Sequence, residues 1–483
     1  MNVTLTDNPN DRCSYSNAGG CDAGGRFTPC GSKHPTHEDC ACDCQCACPT
    51  DGTPIPVLSL PIAYYLELTP TCNNRCAGCG NVYRHELRVT SCESRVTSYG
   101  SRAPLDGEEW CDLIARLASH ARQFKVTGGE PTLHPAFATI VGAIADRGIS
   151  FTLFTNARWP CPGALVQLLQ DTAACEGLLV SLHGPDAATH EAFSGVPGSF
   201  AETAANVRRA VDAGLDVSIS TVINRHNWDR LPETLELALG LGANHVVCNR
   251  WIGVPTVGLE PGLARLRAAV SAIEALRRAG HPIRFGNCIP QCFVASSARG
   301  CTAGSTFATV DPWGRMRPCN HAPLVAGDLR TQPVEEVWHG AGMAAWRSLV
   351  PARCAPCVAF AACHGGCRAQ ALLAGQEQDP LIQGPPLRAQ ARGVSPVPDD
   401  VRRNVLLLYA GLRPVGWLDH RVEGGVGLLI HKSQVAAVPT GCEGLWPRLD
   451  GSLTLRQIER QYGDAALEWV GALYQREMVT WAE

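Results

Sequence analysis

Between residues 55 and 285 the chain repeats one pattern, a short β-rich run followed by a helix-like stretch. The runs AYYLEL, QFKVTGG, SFTLFTN, GLLVSLHG, DVSISTVI and HVVCNRW are short and rich in branched or aromatic residues. Between them lie stretches such as EEWCDLIARLASHA, PAFATIVGAIADRG and FAETAANVRRAVDAG, whose apolar residues recur at helical spacing. Gly148 and Gly214 stand where two of these helices should stop. Repeated strand–helix units predict an α/β fold: a parallel sheet with crossover helices, closed partly or fully into a (β/α) barrel. Chemistry in such folds gathers at the C-terminal ends of the strands.

Cysteine sets the chemistry. The 483 residues include 25 cysteines, with eight between Cys13 and Cys48, three between Cys72 and Cys79, and eight between Cys288 and Cys367. The start, MNVTLTDNPNDRCSYS, lacks a basic stretch followed by an apolar run, so a soluble, cytoplasmic protein is expected. In that setting clustered cysteines point to metal or redox chemistry rather than disulfides. A formal net charge of −4 argues against a nucleic-acid or anionic-membrane partner.

The first expected strand runs into LELTPTCNNRCAGCGNV, which spaces Cys72, Cys76 and Cys79 as Cys-x3-Cys-x2-Cys. Three thiolates on a short loop can ligate three irons of a 4Fe–4S cube and leave the fourth open to a small molecule. This arrangement resembles the radical S-adenosylmethionine (SAM) superfamily. The resemblance implies a partial barrel of the radical SAM type. It also implies that SAM chelates the open iron and is reductively cleaved to a 5′-deoxyadenosyl radical. The family often has an aromatic residue before the third cysteine, where this chain has Gly78.

KVTGGEPTLH follows the second expected strand. Its Gly128 and Gly129 are expected to present free backbone groups with no side chain in the way. By resemblance they meet the SAM amino group, with Glu130 as an acceptor. Asn156, Ser181 and Ser220 fall on later strands and match positions where the family contacts SAM.

A second set of cysteines runs from Cys301 through Gly314 to Cys319, then Cys354, Cys357, Cys363 and Cys367 at spacings x2, x5 and x3. This order resembles the SPASM extension of radical SAM enzymes, placed here at 286–375. The resemblance implies one or two auxiliary 4Fe–4S clusters. Auxiliary cluster I would use Cys301, Cys319, Cys367 and an upstream cysteine, Cys292 or Cys288, between which spacing does not decide. Cluster II would use Cys354, Cys357 and Cys363. Its usual later cysteine is missing, so it is open at one iron, completed by a non-Cys ligand, or absent.

Residues 376–402 read as a Pro-, Gly- and Gln-rich linker. Residues 403–483 read as strands (VGWLDHRV, GVGLLIHK) and then helices. Leu445, Trp446, Leu449, the Asp450–Gly451 turn, Leu455 and Ile458 suggest a small winged helix. It resembles the peptide chaperone of pyrroloquinoline quinone biosynthesis, the PqqD-like RiPP recognition element, in which a precursor leader adds as a strand to a sheet edge. Residues 1–54 form a Cys-rich segment with Cys40, Cys42, Cys44, Cys46 and Cys48 at every second position. It is a metal site, a substrate-like segment or a disordered tail. Cys92, Cys111, Cys161, Cys175 and Cys248 read as ordinary buried cysteines.

Together these resemblances imply a radical SAM peptide maturase acting on a ribosomally made precursor, with a thioether or carbon–carbon crosslink as product. A flavodoxin or ferredoxin would supply electrons. Two alternatives stand beside it. One is a SPASM enzyme acting on a sulfatase-type protein residue or a tetrapyrrole, and the other is a non-catalytic iron–sulfur or peptide-binding scaffold.

Overall fold

The structure, a computed structural model, describes residues 57–83, 102–294, 300–383, 413–416, 418–423, 425–432, 434–475 and 478–482. The N-terminal cysteine run, Cys92, positions 384–402 of the expected linker and the first residues of the C-terminal region lie outside these.

One ten-stranded sheet dominates, in the order β10-β9-β8-β1-β2-β3-β4-β5-β6-β7. Strands β1 (Ala63–Glu67), β2 (Gln123–Thr127), β3 (Ser150–Thr155), β4 (Cys175–Ser181), β5 (Val217–Ile223), β6 (His245–Arg250) and β7 (Ile283–Phe285) run parallel in sequence order. β1 is buried at four of its five residues, as a central parallel strand covered on both faces should be. The sheet ends at β7 on one side and at β10 on the other, so the barrel is partial.

The crossover helices carry their own start and stop signals. Asp106 and Glu109 form a capping box at the head of Gly107–Leu117. Asp186 caps Ala187–Ser194, and Gly195 ends that helix at φ +70°. Trp110, Ile114, Ile140 and Ile144 bury the helices' apolar faces in one core with Leu66, Val126, Leu153 and Val180 from the strands.

The cysteine-rich region is not a separate lobe. It supplies β8 (Phe307–Val310), β9 (Arg315–Arg317) and β10 (Gly327–Asp328), and β8 pairs in parallel with β1. Such short runs carry too few residues to show a period. The stretch 376–383, expected as linker, is also folded: Asp379, Leu381 and Ile382 are buried. An acidic side chain anchors it, as described below. Of the cysteines expected to be buried, only Cys248 is so among the described residues. Cys161 is exposed because it lies in the turn that enters the helix Pro162–Asp171, and Cys111 and Cys175 are half-buried.

The C-terminal region holds a strand pair, β11 (Arg413–Val415) with β15 (Thr480–Ala482), and an antiparallel sheet of β12 (Asp419–Glu423), β13 (Val426–His431) and β14 (Gln434–Ala437). The expected strand VGWLDHRV is thus divided between β11 and β12, with Gly416 N–H bonded to Leu449 C=O at the break. Helices Leu455–Tyr462 and Asp464–Gln475 pack on this sheet through Leu445, Leu449, Leu455, Ile458, Val470 and Leu473.

The region also docks on the barrel. Leu428, Ile430 and Val435 bury against Leu58 and Ile62. Arg122–Asp419 at 2.8 Å and Lys432–Glu176 at 3.2 Å flank the contact. Full burial of a Leu or Ile contributes about 1.5–3 kcal/mol, against about 0–1 for an exposed ion pair, so the apolar patch holds the contact.

Candidate active site and cysteine clusters

The loop after β1 is held from three sides. Arg75 and Ala77 N–H donate to the C=O groups of Ser194 and Phe193, both at 2.9 Å. Arg158 Nη1 donates to Asn73 C=O and Asn74 Oδ1, both at 2.8 Å. Cys72 Sγ accepts from Asn74 N–H at 3.4 Å and from Asn156 Nδ2 at 3.7 Å. Cys72, Cys76 and Cys79 are all half-buried and none is in a disulfide.

Gly78 is explained by its surroundings. A Cβ there would lie 2.5 Å from Leu259 Cδ1 and 2.6 Å from Trp251 Nε1. An indole arriving from the end of β6 fills the space that the family's aromatic side chain would need. At Gly80 a Cβ would lie 2.4 Å from the His321 ring, so a second glycine lets the segment after Cys319 close on the loop.

The Gly-Gly-Glu-Pro turn differs from expectation. Gly129 N–H donates to Thr69 C=O at 2.7 Å, and Gly128 C=O accepts from Asn81 Nδ2. These two groups are engaged because the turn packs against the cysteine loop's backbone. A Cβ on Gly129 would sit 2.1 Å from Thr71 O, which only glycine permits.

Glu130 is held fast by its neighbours. Its carboxylate is 0% exposed and accepts from Thr132 Oγ1 at 2.7 Å, Thr155 Oγ1 at 2.8 Å and Asn156 N–H at 2.8 Å. Burial raises its pKa, and these donors pull it back. Asn156 is brought to the loop, with Nδ2 donating to Asn73 Oδ1 at 2.7 Å. Ser181 and Ser220 are register partners on β4 and β5, one step beyond the pair Thr155–Val180. Asn156, Ser181 and Ser220 therefore form a row across three strands. Ser220 Oγ already accepts from Asn249 Nδ2 at 3.1 Å.

The eight later cysteines divide into two groups. Cys288, Cys301, Cys319 and Cys367 share an apolar pocket with Ala303, Ala322 and Trp346. Sharing a proton with Cys288 draws the Cys301 and Cys367 thiols below the usual cysteine range. Cys292, Cys354, Cys357 and Cys363 line a different cleft with Phe360 and Ile382. Burial, followed by its three thiol neighbours, pushes Cys354 up to about 11. Among the described residues no three His, Cys, Asp or Glu side chains converge as the ligands of a single metal ion do. Grouped thiols around a cleft suit a multi-iron cluster, whose thiolates are spread over the corners of a cube.

Two buried ion pairs frame these groups, and neither was visible in sequence. Glu67 of β1 pairs with Arg317 of β9, both 0% exposed. Burial pushes Glu67 up to about 7, against the pull of Arg317. Arg250 at the end of β6 pairs with Asp379 at 2.9 Å. Asp379 Oδ2 also accepts from Cys367 N–H at 2.7 Å.

His183 and His190 stack at 5.8 Å behind the loop's anchor helix. Each ring is buried and accepts a backbone N–H at Nδ1, from Val222 at 3.2 Å and from His183 at 3.1 Å respectively. Burial holds His183 well below the usual histidine range and His190 at about 4. These pKa values lie below the unfolded value of about 6.5, so their stabilisation is present above it and is lost as pH falls toward 4. We expect the melting temperature to fall between pH 7 and pH 5, with His190 alone contributing about 2 kcal/mol at pH 5. A His190→Gln variant should show a shallower acid limb in thermal melts, and an unchanged limb would contradict this.

Residues 66–238 match the model of the radical SAM superfamily, and residues 301–364 match that of an iron–sulfur cluster-binding domain, SPASM. The chain is 26% identical over 358 residues to a PqqA peptide cyclase of Methylobacterium nodulans, covering 70% of this chain and 90% of that protein. It is 27% identical over 338 residues to an AdoMet-dependent heme synthase of Methanosarcina barkeri, covering 64% and 91%. Among solved structures, Streptococcus suis SuiB bound to its precursor peptide SuiA superposes with a TM-score of 0.53 at 16% identity, covering 67% of this chain and 75% of that one. At that identity the likeness is one of fold. No helix among the described residues is long and apolar enough to cross a membrane. The matched segments carry a radical SAM domain and a SPASM domain, and with them the chain is an enzyme rather than a passive scaffold, one that works with a 4Fe–4S cluster, S-adenosylmethionine and auxiliary clusters.

Proposed function

We propose that the chain is a peptide maturase that captures a precursor's leader with its C-terminal region and modifies the core peptide at the barrel mouth. The observation that carries this reading is the small sheet of β12, β13 and β14, backed by helices and docked on the barrel. The named activity of the cyclase relatives and the peptide bound by SuiB support it.

Cys72, Cys76 and Cys79 hold the SAM-binding cube, and Cys288, Cys301, Cys319 and Cys367 hold auxiliary cluster I. When bound, the cube and SAM supply hydrogen abstraction from an unactivated carbon, with a flavodoxin or ferredoxin as electron source. Glu130 fixes Asn156 and, through the Gly-Gly turn, the cysteine loop. Asn156, Ser181 and Ser220 offer polar contacts along the rim for SAM. The product is a thioether or carbon–carbon crosslink.

The leader takes the β14 edge. The β12 edge is tied to the barrel by Arg122–Asp419 and Ser59–Glu423 and carries charges that discourage pairing. On β14, Val438 N–H bonds to Gly427 C=O, so by ladder alternation the backbone groups of Val435 and Ala437 point outward. Trp469 Nε1 caps Ala437 C=O at 3.1 Å and leaves the Ala437 N–H to pair. An Ala437→Pro substitution removes that donor without breaking the ladder.

We expect the substitution to weaken precursor binding at least tenfold while peptide-independent SAM cleavage is unchanged. Binding to a candidate precursor, sought among short peptides encoded near this protein, and the mass change of that peptide on co-expression, are the measurements. Unchanged affinity would refute the edge. The heme synthase relative favours a second reading, a tetrapyrrole or protein-residue substrate, in which Ala437→Pro leaves turnover intact.

A further inference from the structure

The radical SAM and SPASM reading leaves one ligand unaccounted for. No cysteine occurs between Cys367 and Cys442. Cys442 is buried in the core of the C-terminal region with Leu445 and Leu449. The residues just downstream of Cys367 are occupied otherwise: Asp379 binds Arg250 and the Cys367 N–H, and Ile382 closes one wall of the second cleft. A ligand for that cleft must come from elsewhere in the chain.

It comes from upstream. Ile289 and Phe293 are buried in the barrel core, and the turn between them is closed by Phe293 N–H donating to Pro290 C=O at 2.9 Å. This turn separates two thiols. Cys288 lies with Cys301 and Cys367, while Cys292 lines the cleft with Cys354, Cys357 and Cys363.

We infer that Cys292 is the fourth protein ligand of the second auxiliary site, so that Cys292, Cys354, Cys357 and Cys363 hold one fully ligated 4Fe–4S cube. The inference rests on the two-cluster reading above and sharpens it. A cube with four protein thiolates has no iron left for a substrate thiolate, so this cluster handles electrons and does not tether the peptide.

The test uses the full chain with Cys72, Cys76 and Cys79 all changed to Ala, so that only auxiliary clusters load. After anaerobic reconstitution this parent should bind about eight irons, two cubes. Adding Cys292→Ala should release about one iron and produce a three-iron EPR signal on mild oxidation that the parent lacks. In the parent, 2-mercaptoethanol should leave the reduced EPR spectrum unchanged, a readout that needs no further substitution. Eight irons and a parent-like spectrum in the Cys292→Ala variant would overturn the assignment, as would a thiol-induced shift in the parent. A parent with only about four irons would overturn the two-cluster reading itself, and the Cys292 assignment with it.

Discussion

A Cys76→Ala variant should yield no detectable 5′-deoxyadenosine from SAM under reducing conditions, a loss of at least a thousandfold, while the chain stays folded. The expected loss is large because a tripod cannot spare a leg. Two thiolates leave two irons without protein ligands, and the small-molecule site is no longer unique. The expected folding is equally specific. The backbone bonds of Arg75 and Ala77 to the helix Ala187–Ser194 and the Arg158 clamp on Asn73 and Asn74 hold the loop without using a cysteine side chain. Melting should shift by no more than a few degrees. Iron should fall by about four per chain, since the other two thiol groups are separate. Product analysis, iron analysis and a thermal melt together check this. Turnover like the wild type's would remove the premise of radical chemistry at this loop.

What was legible in the sequence was local. The strand runs show because each spans five to seven residues and ends at a turn signal, and the cysteine loop shows because its three ligands fit within eight residues. The glycine turn was legible as a motif but its packing partners were not. Expecting open backbone groups at Gly128 and Gly129 ignored the chain that packs against them, and only the approach of Thr69 and Thr71 reveals it. The partners of Glu130 were hidden for the same reason, since its donors Thr155 and Asn156 are about 25 residues away. The division of Cys288 and Cys292 between two groups was beyond any spacing rule, because two thiols four residues apart go to different pockets. β8, β9 and β10 were missed because two to four residues cannot display a period. The Glu67–Arg317 pair, 250 positions apart, had no sequence signature.

Asp379→Ala should be among the most destabilising single changes in the chain, although the residue falls in a stretch that reads as linker. Its side chain is 0% exposed and that of Arg250 3%, so water does not screen the pair. One carboxylate satisfies three groups: Arg250 Nη1 and Leu381 N–H at Oδ1, both at 2.9 Å, and Cys367 N–H at Oδ2 at 2.7 Å. Removing it strands a buried guanidinium and two buried amides. Breaking a buried pair on one side costs about 3–5 kcal/mol. The exposed pair Arg122–Asp419, at 44% and 61%, provides the contrast, and Asp419→Ala should cost less than about 1 kcal/mol. At roughly 2–4 °C per kcal/mol, Asp379→Ala should lower the melting temperature by about 10 °C and Asp419→Ala by less than about 4 °C. The damage should also reach the first auxiliary group, because Asp379 fixes the backbone of Cys367, and iron content should fall with stability. Asp379→Asn should lie between the two, since it keeps one acceptor oxygen and loses the charge. If Asp379→Ala melts like the wild type, residues 376–383 are a tether and not a part of the folded core.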